Sequence, residues 1–570
     1  MSLLDWLVLG GTLAFIVGYG TWRTRGQHTM DSYLLGDRQA RWWGIGLSII
    51  ATQASAITFL STPGQAYDDG MRFIQFYFGL PVAMVLIAIF AVPIYHRLKV
   101  FTAYEYLEGR FDRRTRTLAA GLFLVQRGLS NGLSLYAPAL VLSAILGWNV
   151  HITVWLIGGL MISYTVAGGT RAVAVTQQWQ VAVIFTGMVV AGYLLVHYLP
   201  ADIGFTDAMQ VAGHRGKLNL VDFHFDFKER YSFWSGMTGG LFLALSYFGT
   251  DQSQVQRYLT GRSVTESRLG LLMNGLVKVP MQFGILLIGV LLFVFYQFNA
   301  PPLTFNRPVR EQVARQPQRG DTLRMLEQQH ATVFEARREA TTGLVQALRA
   351  GDQTAVAAAE TRLQTTVAAS SGLRLETQKL LKRAVPTAEA KDTDYVFLTF
   401  VLKYLPHGFV GLLIAVVLSA AMSSAAGGLN ALASTTIIDL YQPARPGHTE
   451  RHYVSASRWA AVGWGVLGIG FATFAAQLEN LIQAVNILGS LFYGTMLGIF
   501  VVAFFLKSVG GRAVFWSAIV AQIAVLLLYW RTEIGYLWFN IIGCALVVLG
   551  CLLLPRDKKS VALETPARTV

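Results

Sequence analysis

The chain has 570 residues, 54% hydrophobic and 14% charged, with a formal net charge of +14 and a mean hydropathy of +0.46. Soluble domains average about a quarter charged residues, so the composition excludes an ordinary soluble fold. Two cysteines are too few for a disulfide framework, and no Cys/His spacing suits a metal.

Apolar segments long enough to cross a bilayer as helices recur thirteen times: roughly 3–22, 42–61, 73–95, 117–146, 150–167, 175–199, 232–250, 269–297, 407–438, 456–476, 480–506, 514–530 and 536–554. The expectation is an all-α polytopic membrane protein. The first segment carries Asp5 rather than a basic start and precedes no A-x-A site, so it reads as a span rather than a cleaved leader. Four Lys/Arg lie in 23–41, six in 97–116 and four beyond 555; the loops of that side hold 22, against six in the short loops of the other. Positively charged loops stay cytoplasmic. This predicts a multi-pass protein of the cell (inner) membrane with its N-terminus outside and its C-terminus cytoplasmic. The basic balance then reports topology and calls for no nucleic acid partner.

Residues 42–61, "WWGIGLSIIATQASAITFLS", and 238–252, "TGGLFLALSYFGTDQ", are apolar but interrupted by small and polar residues. They open two five-helix blocks, 42–199 and 232–506, which have opposite topology because five is odd. Paired interrupted helices in inverted repeats point to a secondary transporter's binding site, although Gly and Ser also serve tight helix packing. Within the apolar segments stand Arg127 and Lys278. Intramembrane charges are functional candidates, with snorkelling or packing against protein as the alternative. If both face a cavity, they favour an anionic or polyhydroxyl solute. Gln53, Thr58, Gln75, Tyr77 and Gln483 are further polar candidates for a pocket.

Residues 300–392 are polar and rich in Ala, Glu, Arg and Gln. They read as two amphipathic helices broken at Gly351-Asp352, with Asp352 as N-cap. The hairpin is expected outside the membrane as a solvated spacer dispensable for transport, or else as a cap or partner-binding module. The chain divides accordingly into 1–299, eight spans; 300–392, the extracytoplasmic insertion; 393–506, three core spans; and 507–570, two additional helices and a cytoplasmic tail. In "VVLSAAMSSAAGGLNAL" (416–432) the apolar run brings Ser423 and Ser424 to its middle. Hydroxyls and carbonyls are hard ligands suited to an alkali cation. Opposite a break near Ala51 and Ala54 they would complete an oxygen cage without a carboxylate, weak enough to release its ion. Cys544 and Cys551, seven apart, share one helix face toward lipid or a neighbouring helix.

The motifs "FTAYEYLEGRFDRRTR" (101–116), "LYAPAL" (135–140), "YTVAGGTRAVAVTQQWQ" (164–180), "GTDQSQVQRYL" (249–259) and "AAMSSAAGGLNALASTTIIDLY" (420–441) together resemble the sodium:solute symporter family, over about residues 1–300 and 390–510. The resemblance implies a leucine-transporter-type 5+5 inverted repeat. It implies sodium, the coupling ion and sole cofactor, held by the carbonyls of Ala51, Ala54 and Ala420 and the hydroxyls of Ser423 and Ser424. Tyr247 matches an aromatic inner gate of sugar carriers. Many members have Thr-Asp where this chain has Thr176-Gln177, which puts a second sodium in doubt. Asp251 reads as structural, with Arg257 near it. Lys278 and Gln483 match polar sugar contacts of the sugar-carrying branch, but Thr58, Tyr77 and Ala244 lack its Gln, Glu and Asn. "ATQASAITFLSTPGQAYDDG" looks more like the iodide and monocarboxylate branch.

The expected function is sodium-coupled import of a small organic solute by alternating access, an anion or monocarboxylate ahead of a sugar or other neutral solute. An enzyme lacks a nucleophile–base motif, a phosphate loop or metal spacing. A kinase-coupled sensor lacks room after the last span. A channel would lack the paired breaks.

Overall fold

The computed structural model describes residues 2–23, 29–386, 392–474 and 481–554. Among the described residues the regular elements are helical, with one isolated bridge from Ala40 to Gly261. In chain order the main helices are α1 (Leu3–Arg23), α2 (Trp42–Gln53), α3 (Ala56–Asp69), α4 (Leu80–Leu98), α5 (Arg113–Leu146), α6 (Val150–His197), α7 (Gly240–Gly249), α8 (Gln252–Leu259), α9 (Val264–Phe298), α10 (Pro317–Ala350), α11 (Gln353–Ala384), α12 (Phe409–Thr435), α13 (Glu450–Ala472), α14 (Leu481–Phe505), α15 (Gly511–Arg531) and α16 (Trp538–Leu553).

Six helical stretches among the described residues are long and apolar enough to cross a membrane: 56–98, 179–197, 264–298, 409–444, 481–505 and 511–531. Leu3–Phe15, Val150–Ser163 and Trp538–Leu553 are shorter apolar helices. The thirteen expected segments therefore do not each appear as a separate long helix. The segment at 42–61 is split between α2 and α3, and the one opening at 232 ends where α7 gives way to α8.

The segments at 150–167 and 175–199 instead share α6, which would be about 72 Å long if straight. Its neighbours show that it is not. On the first half, Gly158 lies against Ile469 and Ile162 against Gly465, so that half runs antiparallel to α13. On the second half, Gln177 reaches Ser423 and Gly187 lies against Leu413, so it runs antiparallel to α12. Helices α12 and α13 are antiparallel themselves, with Tyr441 against Tyr453 and Trp464 bonded to Thr436. The two halves of α6 thus point opposite ways, and the chain reverses between Ile162 and Gln177.

Helix α12 is buried from Val410 to Thr435, apart from Leu412, and touches α1, α5, α6 and α13. Its small residues fit this position: Gly427 has the Arg257 guanidinium where a Cβ would go, and Gly428 has Asn131. Cys544 and Cys551 are both buried on α16, facing neighbouring helices rather than lipid.

Within the 300–392 insertion, α10 and α11 pack together as a helical hairpin, preceded by a short helix Arg307–Ala314. Gly351 ends α10 with φ +68°, and Asp352 caps α11 by accepting from the amides of Thr354 and Ala355. The hairpin is not a solvated spacer along its length. Arg337 donates to the Tyr296 carbonyl at 3.0 Å, and Arg374 to Asp392 at 2.9 Å. Both guanidiniums border an aromatic cluster in which Tyr67 meets Phe293, Tyr296 and Phe305 at the end of α3. Farther out, Arg349 pairs with Asp207 and His214 with Glu360.

Candidate functional site

The two helix breaks differ in what happens to their carbonyls. At the second, α7 stops at Gly249 and Asp251 caps α8 through Ser253. The Gly249 carbonyl accepts from the Tyr95 hydroxyl at 2.8 Å and the Thr250 carbonyl from Tyr104 at 2.9 Å. The Asp251 carbonyl accepts from the amides of Gln254 and Val255. That break is closed by protein groups. Tyr104 belongs to the 101–116 motif, whose Thr102 and Arg116 both anchor on Asp439.

At the first break, the last backbone bond of α2 runs from the Ala54 amide to Ile50. The Thr52 carbonyl accepts from Ser424 Oγ at 3.2 Å and the Gln53 carbonyl from Thr58 Oγ1 at 3.0 Å. The carbonyls of Ala51 and Ala54 accept no backbone hydrogen bond among the described residues, while both residues are buried. A buried carbonyl without a partner is costly in a membrane. These are two of the three carbonyls that the family resemblance implies as ion ligands.

Ser423 and Ser424 face this break from α12. Ser424 spends its proton on Thr52, so its oxygen lone pairs remain for a cation. Ser423 Oγ accepts from Gln177 Nε2 at 2.6 Å. Gln177 also donates to Thr52 Oγ1 at 3.2 Å and accepts from Ser48 at 2.6 Å. The neutral amide thus ties α6 to α2 and α12 where many family members carry a carboxylate. Ala420 is buried one turn before Ser424.

A cavity lies beside the break, between α2/α3, α5, α7, α9 and α14. Of the residues singled out in the sequence, Gln53, Thr58, Tyr77, Arg127, Tyr247 and Lys278 line it. Gln75 and Gln483 do not. Gln75 donates to Tyr231 and accepts from the Asp222 amide, and Gln483 is held between Arg230 and Gln65. Both fasten the segment that precedes α7.

The two cations differ. Arg127 Nη1 is 3.8 Å from Asp251, which also accepts from Tyr493 at 2.9 Å, and its guanidinium lies 5.9 Å from the Tyr247 ring centre. Asp251, expected to be structural with Arg257 near it, therefore faces Arg127. Lys278 is 2% exposed, and no carboxylate lies within 4 Å of it among the described residues. Its Nζ sits 5.6 Å from the Tyr77 ring centre. Asn131 and Asn486 also line the cavity, each with a buried amide nitrogen lacking a hydrogen bond among the described residues. Sequence reasoning missed both. The available signal was a lone amide in an apolar helix, and for Asn131 its i+4 spacing from Arg127.

The sodium:solute symporter family model matches residues 33–316 and 365–521 and omits the middle of the hairpin. The chain is 33% identical over 316 residues to the sodium/iodide cotransporter of Homo sapiens, covering 53% of this chain and 47% of that protein. It is 27% identical over 511 residues to the sodium-dependent multivitamin transporter of Oryctolagus cuniculus, covering 88% and 66%. It is 26% identical over 501 residues to sodium-coupled monocarboxylate transporter 1 of Homo sapiens, covering 87% and 68%. The aligned stretches thus span about half to two thirds of these relatives. Among solved structures, a substrate-bound, outward-open Na+-coupled sialic acid symporter superposes with a TM-score of 0.74 at 22% identity, covering 98% of this chain and all of that one, a likeness of fold. With the family pattern matched on both sides of the hairpin and across both breaks, the chain belongs to the sodium:solute symporter family.

Proposed function

We propose that this chain is a sodium-coupled symporter that imports a small organic anion by alternating access. Sodium binds at the first break, to the carbonyls of Ala51, Ala54 and Ala420 and the hydroxyls of Ser423 and Ser424. The solute binds in the adjacent cavity. The observation that carries the anion reading is Lys278: a buried ammonium facing the cavity with a tyrosine ring and no carboxylate beside it among the described residues. A cation at low dielectric is costly unless compensated, and a solute carboxylate supplies that compensation. The amide nitrogens of Asn131 and Asn486, which border the cavity, add donors for its oxygens. Arg127 is compensated by Asp251 and serves the Tyr247 side of the cavity as a gate support rather than as the anion's partner. Iodide and monocarboxylates, the solutes named for two of the relatives, are anions.

Uptake into proteoliposomes tests this. A carboxylate should accumulate with an inward sodium gradient and not without one, and Lys278→Gln should weaken its half-saturation about tenfold or more. If neutral sugars compete for uptake and carboxylates do not, the solute is a sugar and the anion reading is wrong.

A further inference from the structure

A second cavity, about 580 Å³, lies where the hairpin meets the helical body. Small-molecule sites occupy about 300–1,000 Å³, so it has room for a ligand. One wall is α10. The opposite wall is the short helix Val396–Tyr404, and residues 300–307, leaving α9, close the bottom. Phe305, Phe334, Leu398 and Leu402 make an apolar floor.

The rim is basic. Arg307, Arg310 and Lys403 border the cavity, against one carboxylate, Glu327. Glu327 is taken by Arg310 at 2.6 Å, and Arg307 pairs with Glu311 at 2.6 Å. Lys403 has no carboxylate within 4 Å among the described residues. A second observation points the same way. His330 is on the cavity wall, 6% exposed, and its ring makes no hydrogen bond among the described residues. Burial, with Arg337 and Arg374 behind it, pushes the imidazole down to about 4. It is therefore neutral near pH 7 and has an N–H to donate.

We infer that this cavity is a separate binding site for a small organic carboxylate with an apolar body. The body rests on Phe305 and Phe334, and the carboxylate accepts from Lys403 and His330. The wall carrying Glu327, His330 and Phe334 falls within 317–364, outside the family pattern. The site is accordingly an addition of this chain, and it uses none of the groups assigned to sodium or to the transported solute.

The test uses the full chain in lipid nanodiscs, with benzoate as the probe, titrated calorimetrically without sodium. Lys278→Gln serves as the parent, so that the central cavity does not contribute. One benzoate per chain should bind. Lys403→Gln and His330→Leu should each weaken it about tenfold, and Ala331→Trp, which fills the cavity from an exposed position, should abolish it. Thermal unfolding of each variant is compared with that of the parent. No benzoate binding in the parent, or unchanged binding in variants that melt as the parent does, overturns the inference. Failure of carboxylate uptake in proteoliposomes would instead overturn the transport reading and leave this binding intact.

Discussion

Ser423 and Ser424 are adjacent, yet their hydrogen bonds assign them different work. Ser424 donates across to the carbonyl of Thr52 at the open end of α2. Ser423 is held from behind by Gln177. Removing Ser424 Oγ removes both a proposed ion ligand and a tie between α12 and the break. Ser424→Ala should therefore raise the sodium concentration for half-maximal uptake about tenfold, the effect of roughly 1.4 kcal/mol. Ser423→Ala should shift it the same way. Sodium dependence unchanged in both variants would remove the proposed cage. At this scale, the serines and the small residues around Ala51 and Ala54 were legible because polar and small groups stand out in an apolar run. The partners of Arg127 were not. Whether it meets Asp251 or a solute depends on which face of α5 turns toward the break at Thr250, and helical spacing alone does not fix that. Gln75 and Gln483 looked like pocket residues for the same reason, and tertiary hydrogen bonds hold them elsewhere.

Two broken helices in one chain raise the question of which break would serve the proposed ion. The tyrosine hydroxyls of Tyr95 and Tyr104 close the second, whereas the first keeps the carbonyls of Ala51 and Ala54 open. Tyr104→Phe should thus act on stability. It strands the buried Thr250 carbonyl, at a cost of about 1–3 kcal/mol, and should lower the unfolding temperature in detergent while leaving the sodium half-saturation near wild type. A larger sodium shift in Tyr104→Phe than in Ser424→Ala would move the ion to the second break. The positions of both breaks could be read from Gly, Ser, Thr and Asp interrupting apolar runs. Their different closures could not, because Tyr95 and Tyr104 come from a distant stretch of sequence. The hairpin's turn at Gly351-Asp352 was equally legible, since its cap chemistry is local. Its packing was not: Arg337 and Arg374 look like surface residues on amphipathic helices, and only the fold brings them to the aromatic cluster at Tyr67.

For the molecule as a whole, charge and packing make one statement about sidedness. Arg38 donates to the carbonyls of Lys99 and Val100, so the described part of the 23–41 loop shares a face with the Lys/Arg-rich 97–116 loop, and we propose from the positive-inside rule that this face is cytoplasmic. The loop between α12 and α13 lies on that face, because Asp439 near its start binds Arg116 and Thr102. The hairpin lies at the opposite end of the same helices: α10 and α11 contact Tyr67, Tyr296 and Asp392, whereas Tyr95 and Tyr104 close the break on the basic side. Sided labelling reads this directly. The native cysteines, Cys544 and Cys551, are both buried, so wild-type protein in right-side-out vesicles should take up little membrane-impermeant maleimide. Ala357→Cys, exposed on α11, should label in intact vesicles. Arg445→Cys, exposed between α12 and α13, should label only after the membrane is opened. The reverse pattern would invert the topology, place the hairpin inside the cell, and turn the cavity beside His330 toward the cytoplasm.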